Sequence, residues 1–78
     1  MDIKVRYFAS MRDRIGRAED SVSIDQDAVT VEDLWKQISG GEDLPNSTLI
    51  AVNMEYTNGS HALKNGDEVA FFPPVTGG

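Results

Sequence analysis

Alternation of apolar and polar residues opens the chain. Ile3, Val5 and Tyr7 fall on one side of an extended segment, and Lys4, Arg6 and Phe8 on the other. This predicts a first strand with Phe8 on its nominally solvent-facing side. Ala9-Ser10 then opens a short helical stretch over Met11–Ile15, with Gly16 as its stop. Alternation returns over Ser21–Ile24, where Val22 and Ile24 point the same way, predicting a second strand that pairs with the first as a hairpin. After Thr30 the period becomes helical. Thr30 can cap, and Glu32 and Asp33 suit the positive end of a helix dipole. Val31, Leu34, Trp35 and Ile38 recur on one face. Gly40-Gly41 ends this main helix, and Trp35 reads as the anchor of the core beneath it.

The stretch from Glu42 to Thr48 is polar, contains Pro45 and reads as a loop. Leu49–Asn53 is nearly continuous in apolar residues and fits a central strand, and Glu55-Tyr56-Thr57 fits a small strand or a turn. Asn58-Gly59 and Asn65-Gly66 are turn dipeptides, because Asn and Gly tolerate positive φ. Asp67–Phe72 is the last strand. Pro73-Pro74 must end it, since neither proline can donate a ladder hydrogen bond. The order is strand, strand, helix, strand, short strand, strand, with the first and last strands central in character. A mixed sheet with those two strands adjacent and one main helix across it satisfies the order. That is an α+β, β-grasp arrangement of about five strands, the fold of ubiquitin. It occupies residues 1–72 and leaves 73–78 as an extended tail.

Composition narrows what such a domain can do. At 78 residues it buries only about 60% of its unfolded surface and has no room for a cleft between domains. Function is expected on a surface, an edge or a terminus. The chain contains no cysteine, which excludes disulfides, thiolate metal sites and cysteine persulfides. Thirteen acidic against seven basic residues give a net charge of −6. That balance argues against nucleic acid and against anionic membrane surfaces, and favours partners with a basic surface. No apolar run approaches the ~20 residues of a membrane span, and the first residues lack the pattern of a signal peptide. A cytoplasmic location is expected.

A search for an active site finds none. His61 is the single histidine and reads as a solvated loop residue. Asp67 and Glu68 are adjacent in a strand and so face opposite ways, and Asp67 instead serves the Asn65-Gly66 turn. Glu42-Asp43 sits in a loop without ligand partners and reads as solvated. There is no Gly-rich phosphate loop and no context for a serine triad. The chain is not expected to be an enzyme on its own.

The tail is the informative segment. Two prolines hold Phe71-Phe72-Pro73-Pro74-Val75-Thr76-Gly77-Gly78 extended where it leaves the domain. Slim residues come next, and from Pro73 the tail reaches at most about 20 Å. The two terminal glycines have no Cβ, so the carboxylate can approach a buried site closely. Of Phe71 and Phe72, one must point out of the strand, and Phe72 is expected to do so.

The sequence resembles the small subunits of molybdopterin synthase, the MoaD family of ubiquitin-like sulfur carriers, over essentially its whole length. The resemblance rests on Lys4-Val5-Arg6-Tyr7-Phe8-Ala9, Val31-Glu32-Asp33-Leu34 and Ala51-Val52-Asn53. It rests above all on the stretch from Leu63 through Asn65-Gly66-Asp67-Glu68 to Gly78. It implies that an activating enzyme of the ubiquitin-activating type, an adenylyltransferase, uses ATP and magnesium to adenylate the Gly78 carboxylate. A sulfur donor then converts it to a thiocarboxylate. It implies no permanently bound cofactor or metal. The partner would be the large catalytic subunit, in a heterotetramer of two small and two large subunits, where sulfur passes to a cyclic pyranopterin phosphate to build the dithiolene. Gly77 and Gly78 would carry the chemistry. Phe8, Tyr56, Phe72, Pro73, Pro74, Val75 and Thr76 would contact partners; Tyr56 fills a position that is often aliphatic in the family. A sulfur carrier for thiazole synthesis, a ubiquitin-like protein modifier and an interaction module with an unmodified tail are the alternatives. The Phe-Phe-Pro-Pro-Val-Thr stretch fits the thiazole carriers poorly.

Overall fold

The computed structural model describes residues 1–26 and 28–74. Among these the elements run β1 (Asp2–Tyr7), α1 (Ser10–Ile15), β2 (Glu19–Ser23), α2 (Val31–Ser39), β3 (Leu49–Val52), β4 (Glu55–Thr57) and β5 (Glu68–Phe72). The strands form one mixed sheet in the order β2-β1-β5-β3-β4. The first and last strands lie side by side and parallel, and the other pairings are antiparallel. This is the expected β-grasp arrangement, with the short helical stretch after β1 present as α1 and packed against β1 and β5.

Period-two burial builds the core. Ile3, Val5 and Tyr7 of β1, Val69 and Phe71 of β5, and Ile50 and Val52 of β3 all face inward. The expected helix stripe meets them: Val31, Leu34 and Trp35 are buried, and Ile38 packs at the margin. Trp35 is fully enclosed and sets its ring edge-on to Phe71 at 5.0 Å between centroids. Its indole N–H donates to the Asp43 carbonyl at 3.2 Å, which answers the one polar requirement of a buried tryptophan. Tyr7 stacks on Phe71 and turns its hydroxyl to Asp20, which Arg17 also holds. Burial, and then the Asp20 charge, push the Tyr7 phenol well above its ordinary pKa, so it stays protonated.

The start of α2 is built as a capping box. Thr30 accepts from the Asp33 backbone N–H, and Asp33 accepts from that of Thr30. The next two orphan donors, on Val31 and Glu32, go to the carbonyls of His61 and Gly59. That docking accounts for two departures from the sequence reading. His61 is half-buried rather than solvated, with Nδ1 3.2 Å from the Thr57 hydroxyl. Asn58-Gly59 is not a positive-φ turn. Asn58 instead accepts from Ser60 through its side chain. Gly59 is buried against Glu32, whose side chain would have to turn away from any Cβ placed there. Asn65-Gly66 behaves as expected, with Gly66 at φ +89° and the Asp67 N–H returning to the Lys64 carbonyl.

Asp67 serves that turn and more. Its buried carboxylate accepts from the Lys64 N–H at 2.8 Å and from the Asn53 side-chain amide at 2.9 Å. Asn53 closes the loop by accepting from the Glu68 N–H. The strand therefore starts at Glu68, one residue later than its apolar pattern suggests.

These contacts have two measurable consequences for stability. Asp67→Ala leaves two donors without their acceptor and is expected to cost about 1–3 kcal/mol in urea unfolding. Hydrogen bonds from Thr30 hold the Asp33 carboxyl below its ordinary pKa. A depressed folded-state pKa stabilises above the unfolded value of about 3.9, and that contribution is lost as pH falls through the folded value. The difference in Tm between the wild type and Asp33→Asn should therefore shrink between about pH 5 and pH 2.

Candidate docking face and tail exit

The strand alternation that fills the core also decides what the opposite face of the sheet displays. On that face Arg6 lies opposite Ala70, Ala70 opposite Ala51, and Ala51 opposite Tyr56. One step nearer the end of β5, Leu49 pairs with Phe72. The two central positions are alanines, so the face dips between larger side chains. Phe8 and Phe72 stack at 4.6 Å and 8° between planes, each half-burying the other. Tyr56 stands 6.3 Å from Phe72 at a tilt of 54° and is 75% exposed. Phe71 points the other way and is fully buried.

Pro73 and Pro74 leave the sheet beside these rings, sharing an open hollow with Phe8, Leu49, Tyr56 and Phe72. The structure thus brings together five of the residues expected to meet partners: Phe8, Tyr56, Phe72, Pro73 and Pro74. Val75, Thr76, Gly77 and Gly78 lie outside the described residues.

Sequence reasoning missed Met54. Val52 pairs with Glu55, so Asn53 and Met54 form a two-residue hairpin loop, and both have positive φ, at +51° and +71°. That is the signature of a type I′ turn, where glycine is the usual second residue. A methionine in that conformation carries a strain of about 1 kcal/mol. Its side chain is 94% exposed and borders a hollow of about 150 Å³ floored by Ala51 and Ala70. Asn-Gly would have announced the turn; Asn-Met did not. Ala9, at the other end of the patch, is also at positive φ.

Charge is confined to the margin. Arg6 Nε lies 3.0 Å from Glu68 Oε1, with both side chains well exposed, so the pair contributes under about 1 kcal/mol to stability. Among the described residues no cluster of histidine, aspartate and glutamate could hold a metal ion. No helix among them is long and apolar enough to cross a membrane. The arrangement offers contact area beside the exit of β5, and among the described residues it shows no set of converging acid, base or nucleophile groups.

A β-grasp domain with an apolar sheet face at the exit of its last strand defines a ubiquitin-like protein. The chain belongs to the ThiS family, whose model matches residues 5–78. It is 40% identical to the molybdopterin synthase sulfur carrier subunit of Escherichia coli, over 97% of this chain and 99% of that protein. It is also 40% identical to the subunit of that name from Chlamydomonas reinhardtii, over the full length of both. Among solved structures, SAMP1 from Haloferax volcanii superposes with a TM-score of 0.82 at 26% identity, covering all of both chains. A molybdopterin converting factor subunit 1 from Pyrococcus furiosus gives 0.77 at 32% identity, over 96% of this chain and 99% of that one. A complex of subunits 1 and 2 of the molybdopterin-converting factor of Helicobacter pylori contains a chain matching at 0.66 and 26% identity, covering both completely.

The opposite facing of the two phenylalanines gives a direct test. Phe71→Ala is expected to cost about 3–5 kcal/mol by chemical unfolding. Phe72→Ala should cost under about 1.5 kcal/mol, because the ring is already part-solvated. Equal losses would contradict the assigned faces.

Proposed function

We propose that this protein is the sulfur-carrier subunit of a molybdopterin synthase, and that its sulfur travels on the C-terminal carboxylate of Gly78. The observation that carries the reading is the continuity between the aromatic sheet face and the exit of β5. A partner that covers Phe8, Tyr56 and Phe72 also receives the chain at Pro73-Pro74. The full-length relatives that bear this name support it.

The chemistry derives from the groups this chain has. A carboxylate is a poor acyl donor. Its oxygen attacks the α-phosphorus of magnesium-bound ATP on an adenylyltransferase, releasing pyrophosphate and leaving an acyl-adenylate. A sulfur nucleophile from a donor then adds to the acyl carbon and AMP departs, giving the thiocarboxylate. Two slim residues without Cβ let the acyl carbon come close to the nucleotide. The charged tail next enters the large subunit, where its sulfur bonds to a carbon of the cyclic pyranopterin phosphate and displaces an oxygen leaving group there. Water then cleaves the acyl C–S bond, leaving the sulfur on the pterin and returning the Gly78 carboxylate, and two charged carriers complete one dithiolene. General acids and bases for these steps belong to the partners. The net charge of −6 would speed encounter with a basic partner surface. A compartment holding ATP and these partners, the cytoplasm, completes the reading.

A second reading, a protein modifier joined to target lysines, is favoured by the full-length match to SAMP1, which is small archaeal modifier protein 1. It shares the adenylation step and differs in the acceptor.

Incubation with ATP, magnesium, the activating enzyme and a sulfur source should replace one oxygen by sulfur in the intact mass. Deletion of Gly78 should abolish that change and leave Tm unaltered. Isopeptide-linked products in cells, with no transfer to pterin, would favour the modifier.

A further inference from the structure

Met54 is out of place by every intramolecular criterion. It occupies a left-handed turn position that suits glycine, at φ +71°. Its side chain is 94% exposed, so packing among the described residues does not offset the strain or the solvated apolar surface. Strain that is not repaid inside a domain points to a role outside it. The position is specific. Met54 stands at one wall of the alanine-floored hollow, and the Phe8–Phe72 stack stands at another. The Arg6–Glu68 ion pair forms a polar rim beside it. An apolar centre with a charged margin is how protein interfaces are organised. A flexible thioether also adapts to an irregular partner surface.

We propose that Met54 is an interface anchor, covered when the large subunit docks. An apolar side chain of that subunit would seat on Ala51 and Ala70, between Met54 and Phe72. The inference rests on the carrier reading above. The occupant is chosen for continuity, because this hollow shares Phe8 and Phe72 with the one that Pro73 and Pro74 border. A partner that receives the tail is therefore already in contact with its edge. Left-handed geometry at Met54 aims the side chain from the hairpin tip, and a glycine there would relax the turn and remove the anchor together.

The test uses the full-length protein and the large subunit from the same organism, with calorimetric titration and thermal unfolding. Met54→Gly is expected to raise Tm by up to about 4–8 °C, the shift that corresponds to relief of the turn in a domain of this size. It should at the same time weaken binding about tenfold. Met54→Leu, which keeps an apolar side chain in the strained turn, should bind within about twofold of the wild type. A glycine variant that binds as tightly as the wild type overturns the anchor and leaves the carrier reading standing. Failure of the wild type itself to bind the large subunit overturns the carrier reading, and this inference with it. Concentration-dependent dimerisation of the wild type, abolished by Met54→Glu, would assign the face to a second copy of this chain and overturn the proposal.

Discussion

The parallel pairing of β1 with β5 is the constraint on which the rest depends. It joins the first and last strands in the middle of the sheet, with Val5 opposite Val69 and Tyr7 opposite Phe71. A parallel pair cannot be closed by a tight turn and needs a crossover. Here the crossover contains α2, which covers one face of the sheet and buries Trp35 against Phe71. Because β5 is central, Pro73 and Pro74 depart from the middle of the domain and not from an edge. The backbone bonds that frame the ladder, Lys4 N–H to Asp67 and Phe8 N–H to Phe71, also fix the height at which Phe8 meets Phe72.

The two-residue period of a strand then divides Phe71-Phe72 between two tasks. One ring completes the core and the other lies on the outward face of the sheet, with no change of backbone between them. The alanines at positions 51 and 70 are consistent with this division. Small residues in the middle of a sheet bury little apolar area, so they contribute modestly to stability. They leave a depression in the outward face of the sheet. A domain with a core this small has little stability in reserve. Strain at Met54 and aromatic surface at Tyr56 are therefore costs that its own fold does not recover.

How much of this was legible in the sequence varied with the kind of signal. The strands and α2 were readable because their periods differ and their ends carry strong caps, at Thr30 and at Gly40. Counting by two showed that one of Phe71 and Phe72 faces outward, and the family resemblance favoured Phe72. The hairpin at Asn53-Met54 was obscured because methionine replaces the glycine that would mark it. Asn58-Gly59 misled in the opposite direction, since the dipeptide served helix docking rather than reversal. His61 looked solvated because its hydrogen bond to Thr57 and its carbonyl contact with Val31 depend on where the loop lies over the start of α2. Each of these last two misses concerns a local signal overridden by a contact between elements, which no short window of sequence contains.

The absence of converging catalytic groups on the described surface makes sense as physics, given the size of the domain. A small sheet with one covering helix can protect a core, but it cannot also enclose a reacting centre from water. A labile acyl group is better shielded inside a larger partner, and that requires a segment slim enough to enter and a rigid base to set its direction. Pro73 and Pro74 restrict the first step away from β5 through their fixed φ. The stacked pair at Phe8 and Phe72 anchors the strand from which they depart. On the carrier reading proposed above, docking affinity and delivery of the tail would be coupled, since a partner held on the aromatic face would meet the chain where β5 ends. On the same reading, a substitution on that face would alter delivery without touching the reacting atoms.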